Sequence, residues 1–264
     1  MLDCLDCSIL IPCYNANRHL AQCLESAIGQ GAKEIILIDD GSTDNSLSIA
    51  NRYADRGVTV ISHENIGVQA TRNQLLGMAT GEWLQCLDAD DVLMEGKIRR
   101  QLESSIVADD ALYCNMIIER WRGETLMAVD HWDTGIHPTL LEAMIRWEFI
   151  PQTNCFLFRR SAMALWDESY NHCHEFKLVL DMMRSGCQFR HTPIDGVVYR
   201  RGWHRSQVTS DPALLKSRLR FQGEFFEWVR HFEWAQSPTS KWSQIMAFTD
   251  RRLQMELSLA KGQQ

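Results

Sequence analysis

The 264-residue chain has no long hydrophobic run. No window approaches the roughly 18 apolar residues of a membrane-spanning helix, so no such helix is expected in it. Secretory-leader features are missing as well. Met1-Leu2-Asp3 has no basic residue, and Ile9-Leu10-Ile11 is too short for an apolar leader core. The two absences lead us to expect a cytoplasmic protein, at most peripheral to the inner face of a membrane. Positive charge is in deficit, with 27 Lys and Arg against 34 Asp and Glu. A chain with a net charge of -7 offers no bulk attraction to nucleic acid. There is no Walker A loop and no three-glycine dinucleotide loop, since Gly29-Gln30-Gly31 follows a helical pattern rather than a strand. Any phosphate would therefore be held by metal and side chains, which argues against a dehydrogenase or a P-loop NTPase. Cys4-Leu5-Asp6-Cys7 lacks a second Cys-x-x-Cys to complete a zinc site. The nine cysteines, odd in number and partly within apolar runs, fit reduced and mostly buried thiols.

What the chain does have is an unusual acidic stretch. Trp83 to Leu87 reads as a short strand, and it runs straight into Asp88-Ala89-Asp90-Asp91. Carboxylates this close repel one another. At the end of a buried strand they suit a hard cation such as Mn2+ or Mg2+, which sits on one or two carboxylates plus substrate phosphates. The plainer alternative is a solvated acidic turn capping the next helix, a role for which Asp91 is suited.

The first half repeats strand and helix. Ser8 to Ile11, Glu34 to Ile38 and Val58 to Ile61 are short apolar runs of the kind buried on both faces of a parallel sheet. Pro12, lacking an amide hydrogen, is expected to end the first. Ser42 or Thr43 is expected to cap the helix that follows the second. An open α/β sheet binds ligands at the carboxyl ends of its strands, so Pro12–Asn15, Asp39-Asp40 and Asp88–Asp91 are expected along one edge. The second half is less regular. Strands are expected at 111–118, 155–158 and 197–199, and amphipathic helices at 140–147 and 175–183. From Pro212 the chain turns helical and aromatic, with a last helix over about 241–260. We expect residues 1–105 to form a nucleotide-binding half, 106–211 an acceptor-binding and catalytic half, and 212–264 a helical extension. That extension either packs on the main domain or offers a docking face to a membrane or protein partner.

Four segments resemble the family 2 glycosyltransferases. They are Ser8-Ile9-Leu10-Ile11-Pro12-Cys13-Tyr14-Asn15, the run Glu34 to Asp44, the run Gly67 to Asn73, and the run Gly81 to Asp91. The resemblance implies an α/β fold of the GT-A type, a mostly parallel central sheet flanked by helices. It also implies a metal-dependent, inverting transfer of sugar from a nucleotide sugar, a UDP-sugar foremost, to a hydroxyl acceptor in glycan or glycolipid synthesis. Nucleotide-sugar contacts then fall to Pro12, Tyr14, Asp40, Arg72, Asp88 and Ala89. Tyr14 would pack on the base, Asp40 would accept its ring N–H, and Arg72 would meet the diphosphate. Asp90 would ligate Mn2+ or Mg2+, with His204 a further metal or diphosphate contact and Arg205 near phosphate. The resemblance places the general base at Glu175, although His174-Glu175 replaces the Glu-Asp of many relatives, so that His174 could act as the base or tune Glu175. Trp121, Trp132, Trp147 and Trp203 are candidates for stacking on a sugar, or core residues. Two other readings stay open, a non-catalytic nucleotide-sugar-binding scaffold and a sugar nucleotidyltransferase. The latter would need a glycine- and arginine-rich first loop, which Pro12-Cys13-Tyr14-Asn15 is not.

Overall fold

The apolar run Ser8 to Ile11 lies at the centre of strand β1 (Leu5–Cys13), buried without a break from Cys7 to Cys13. In the computed structural model β1 is sandwiched between β2 (Ala32–Asp40) and β4 (Trp83–Cys86), parallel to both, and β3 (Val58–His63) lies parallel outside β2. Helices α1 (Leu20–Ile28), α2 (Ser46–Asn51) and α3 (Val68–Met78) link these strands. The structure describes residues 4–137, 139–146, 151–170, 172–202, 212–232, 235 and 241–261.

Pro12 does not end β1. It pairs with Ile38 of β2, and the strand runs on to Cys13 opposite Asp39. The reason is directional. Leu10 faces β4, where its carbonyl accepts from Leu87 N at 3.0 Å. Pro12, two residues on, faces the same side, just past the end of β4, so its missing N–H costs the β2 ladder nothing.

Beyond β4 the sheet becomes mixed. β8 (Phe156–Arg159) is antiparallel to β4 and to β6 (Ala111–Arg122). β6 lies parallel to β9 (Phe189–Gly202), which pairs antiparallel with β5 (Val92–Leu93). β7 (Thr125–Trp132) forms a hairpin on β6. The full order is β3-β2-β1-β4-β8-β6-β9-β5. β9 is far longer than Val197–Tyr199, because its polar flanks Phe189–Thr192 and Arg200–Gly202 pair with β6 rather than fill a core. At Gly196 a Cβ would stand 2.4 Å from Cys114 Sγ, so only glycine lets β9 approach β6 there. All nine cysteines are free thiols and six are buried.

The chain forms two compact units that interleave along the sequence. The first, residues 1–136, 151–166 and 187–203, holds the whole sheet, α1 to α3 and α4 (Lys97–Ser104). The second, residues 137–150, 167–186 and 204–264, is helical: α5 (Leu140–Arg146), α6 (His174–Arg184), α7 (Pro212–Val229) and α8 (Lys241–Lys261). In it, α7 buries Leu215, Phe221, Phe225, Phe226 and Val229, and Phe221 meets Phe176 of α6 edge-on at 5.5 Å. Tyr170 is fully buried, donates to Glu224 at 2.8 Å and lies under the Arg220 guanidinium. Among the described residues no helix is long and apolar enough to cross a membrane.

Candidate active site

Parallel order places the carboxyl ends of β2, β1 and β4 side by side, and the loops leaving β1 and β2 are bonded to one another. Asn15 N donates to Ser42 Oγ at 3.0 Å, Ala16 N to Ser46 Oγ at 2.8 Å, and Asn17 N to Asp44 Oδ2 at 3.1 Å. Asn15 Oδ1 accepts from Thr43 N at 2.8 Å, and Asn15 holds a left-handed backbone with φ of 50°. Ser42 is thereby spent on the first loop. Neither it nor Thr43 caps α2, whose N-cap is Asn45. The stitched loops present Tyr14, which is 53% exposed, as a base-stacking ring would need to be.

Asp39 and Asp40 are both buried at the end of β2. Asp39 Oδ2 accepts from Ser42 N at 3.2 Å and Ser62 Oγ at 3.1 Å, the turn-forming role. Asp40 accepts from Ile66 N at 2.8 Å and Gly67 N at 3.1 Å, with His63 Nδ1 at 3.5 Å. Gly41 makes this approach possible, since at φ +71° a Cβ there would lie 2.8 Å from Asn65 N. Each Asp40 oxygen keeps a second lone pair for a further donor.

The acid turn separates its three carboxylates by role. Asp88 Oδ1 accepts from Arg72 Nη2 at 2.6 Å. Arg72 comes from the second turn of α3 and is only 5% exposed. Its guanidinium lies 4.6 Å over the ring of Trp166. Asp91 is fully buried. It does not cap a helix; Asp91 Oδ2 accepts from Asn154 Nδ2 at 2.5 Å and Oδ1 from Arg200 N at 2.7 Å, tying the acid turn to the 3-10 turn Thr153–Cys155 before β8 and to β9. Burial, then the Asp90 and Asp88 charges, raise its pKa well above the usual carboxylate range. Asp90 is exposed as a residue. Loss of water around its carboxyl, then repulsion from Asp88, pushes it up to about 6.

Behind the turn lies a polar network the sequence reading missed. Lys97, fully buried, donates to Gln85 Oε1 and to the Phe156 carbonyl at 3.2 Å. Gln85 Nε2 donates to the Asn154 carbonyl at 2.9 Å, and Asn154 holds Asp91. Burial lowers the Lys97 pKa. The signal was Gln85, a lone amide inside a buried strand, which must find partners. Arg200 Nε bonds Glu119 at 3.3 Å, and Glu119 in turn accepts from Trp121 Nε1 at 3.0 Å. Trp121 and Trp132 are half-buried, while Trp147 and Trp203 lie outside the described residues.

A divalent cation fits this chemistry. Asp88 and Asp90 are hard oxygen donors two residues apart, and loss of water and the Asp88 charge both act against a negative charge on Asp90. Among the described residues no three or more His, Cys, Asp or Glu side chains converge to hold a metal by themselves. One or two carboxylates completed by phosphate oxygens is the usual arrangement for Mg2+.

Pro12, Tyr14, Asp40, Arg72, Asp88, Ala89 and Asp90 therefore all belong to the first unit, at strand ends or in the early turns of α3. Glu175 belongs to the second, in the first turn of α6, 2.9 Å from His174 Nε2. Both side chains are less than one-fifth exposed. Cys173, the N-cap, takes a left-handed φ of 60°, an uncommon backbone for a non-glycine residue. His204 and Arg205 lie outside the described residues.

Residues 8–166, more than half of the chain, match the family described as glycosyl transferase family 2. The uncharacterized glycosyltransferase YibD of Escherichia coli strain K12 is 38% identical over 113 residues, 41% of this chain and 33% of that protein. The matched stretch spans about a third of the length of the first curated relatives. In fold the chain is similar to the mannosyltransferase PcManGT of Pyrobaculum calidifontis in complex with GDP-Man and Mn2+. The TM-score is 0.64 at 15% identity, covering 97% of this chain and 73% of the other. It is also similar to S. aureus TarS 1–349 in complex with UDP, with TM-score 0.60 at 17% identity, covering 88% and 73%.

Proposed function

This chain belongs to glycosyl transferase family 2 and has a GT-A type fold, and from that premise we propose that it transfers a sugar from a nucleotide-diphosphate sugar to a hydroxyl acceptor with inversion. A UDP-sugar is the favoured donor, and a glycan or glycolipid the acceptor. The observation that carries this is the acid turn: Asp88 paired with buried Arg72, two residues from the exposed Asp90.

Each residue has a distinct task in this reading. Tyr14, presented by the loop after Pro12, packs on the base. Asp40 accepts the ring N–H that a uracil offers, on lone pairs left over from Ile66 N and Gly67 N. Arg72 turns its guanidinium to the diphosphate, for which a planar fork of donors is suited. Asp88 and Ala89 line the donor beside it. Asp90 is the protein ligand for Mn2+ or Mg2+, with His204 a further contact. A bound divalent ion supplies the positive charge that offsets charge growing on the departing nucleoside diphosphate. Glu175 takes the proton of the acceptor hydroxyl as its oxygen bonds to the anomeric carbon and the bond from that carbon to the diphosphate breaks. His174, at 2.9 Å, orients that carboxylate.

Incubation with individual nucleotide sugars and Mn2+, following the released nucleotide, tests the reading. Acceptor-dependent release of nucleoside diphosphate is expected. Pyrophosphate release would instead identify a nucleotidyltransferase, and donor binding without any turnover a scaffold.

A further inference from the structure

Trp166 reads in the sequence as no more than the start of a turn, Trp166-Asp167-Glu168. In the first unit it lies at the back of the acid turn, 3% exposed, with its ring 4.6 Å from the Arg72 guanidinium carbon. The residue after Arg72 holds it there. Asn73 Nδ2 donates to the Trp166 carbonyl at 3.0 Å, and Trp166 N donates to Asn73 Oδ1 at 2.8 Å. This two-way bond fixes the tryptophan backbone to α3 across 93 positions of sequence. One face of the Arg72 guanidinium is thus covered by an indole while Nη2 is drawn to Asp88 at 2.6 Å.

A buried arginine has many rotamers, and ordering them costs free energy when a ligand binds. An aromatic face on one side and a carboxylate at the edge remove most of that freedom beforehand, and the indole does so without neutralising the charge. We propose that Trp166, locked by Asn73, is a positioning residue that pre-sets the Arg72 guanidinium for the donor diphosphate. The proposal rests on the reading of Arg72 as the diphosphate contact.

The test separates the diphosphate from the rest of the donor. Calorimetry with Mn2+ compares UDP, GDP and dTDP, each against its own nucleoside. Binding of none of the three would overturn the underlying reading and the proposal with it. For the nucleotide that binds, Trp166→Leu is expected to lower diphosphate affinity by roughly 2- to 30-fold, the span of an exposed to a desolvated cation–π contact, with nucleoside affinity unchanged. Trp166→Phe keeps an aromatic face and should restore most of the loss. Asn73→Ala, which frees the indole without altering it, should show the same selective loss in smaller degree, and it carries the comparison if Trp166→Leu does not fold. Equal losses for nucleotide and nucleoside would mean that Trp166 only supports the fold, and would overturn the proposal. Arg72→Ala is the control. If it leaves the diphosphate increment intact, the reading of Arg72 fails. If it removes the increment while Trp166→Leu keeps it, the positioning role alone fails.

Discussion

Asn154 Nδ2 stands 2.5 Å from Asp91 Oδ2, joining two residues 63 positions apart in the buried base of the acid turn. Asp91 is thereby committed to architecture, with Arg200 N on its other oxygen, while Asp88 is half-buried on Arg72 and Asp90 is exposed. Adjacent carboxylates that look equivalent in sequence should respond to mutation in different ways.

Asp91→Ala strands one buried donor, Asn154 Nδ2, and one part-buried donor, Arg200 N. A loss of about 1–3 kcal/mol in stability is expected, read by urea unfolding. A change within about 0.5 kcal/mol, the range of ordinary surface substitutions, would show that the pair contributes little.

Asp90→Asn should act on stability and binding in opposite directions. The folded pKa of Asp90 is raised to about 6 from 3.8. The native carboxyl therefore binds a proton more tightly than the unfolded one, so the wild-type protein loses stability as pH rises from about 4 through 6. The amide cannot ionise, so without metal the Asp90→Asn variant should melt higher than wild type above pH 6, with the gain vanishing near pH 4. Because the residue is exposed, screening makes this gain small. The same variant should lose Mn2+-dependent nucleotide binding and transfer. A melting difference that is flat with pH would remove the electrostatic argument, and intact Mn2+ dependence would remove the ligand role.

Asp40→Ala should weaken UDP binding by about 1–3 kcal/mol, the cost of leaving a base N–H unpaired in a buried site. It also releases the Ile66 and Gly67 amides, so stability should fall with it. Calorimetry against UDP and against a nucleotide whose base lacks that N–H separates the effects. Equal losses for the two would leave Asp40 a purely structural residue.

Glu175→Gln should lower turnover by roughly 10²- to 10⁴-fold with donor affinity nearly intact, as for removal of a general base. A charge that only meets the α6 dipole would be worth under about 1 kcal/mol of stability and nothing in rate. Near-normal transfer by a folded variant would move the assignment to His174.

The strand-helix alternation of the first half was legible in the sequence because buried parallel strands must be continuously apolar, and Ile9-Leu10-Ile11 and Ile35-Ile36-Leu37-Ile38 are. The acid turn was legible as a turn, since Asp88-Ala89-Asp90-Asp91 cannot continue an apolar strand, but the stretch left a cation site and a plain solvated turn both open. Neither argument reaches residues whose role depends on distant partners. Pro12 looked like a strand end because the side of the ladder it faces is set by the register with β4. β9 looked three residues long because its polar flanks satisfy their backbone on β6 and bury little. Asp91 became an anchor only when folding brought Asn154 and Arg200 to it, and Lys97 could be buried only because Gln85 and the Phe156 carbonyl converge on its ammonium. Local chemistry follows from neighbours in the chain, and so a sequence can display it. The division of labour among three adjacent carboxylates, and the indole behind Arg72, are set by contacts across 16 to 109 positions, which only the tertiary structure decides.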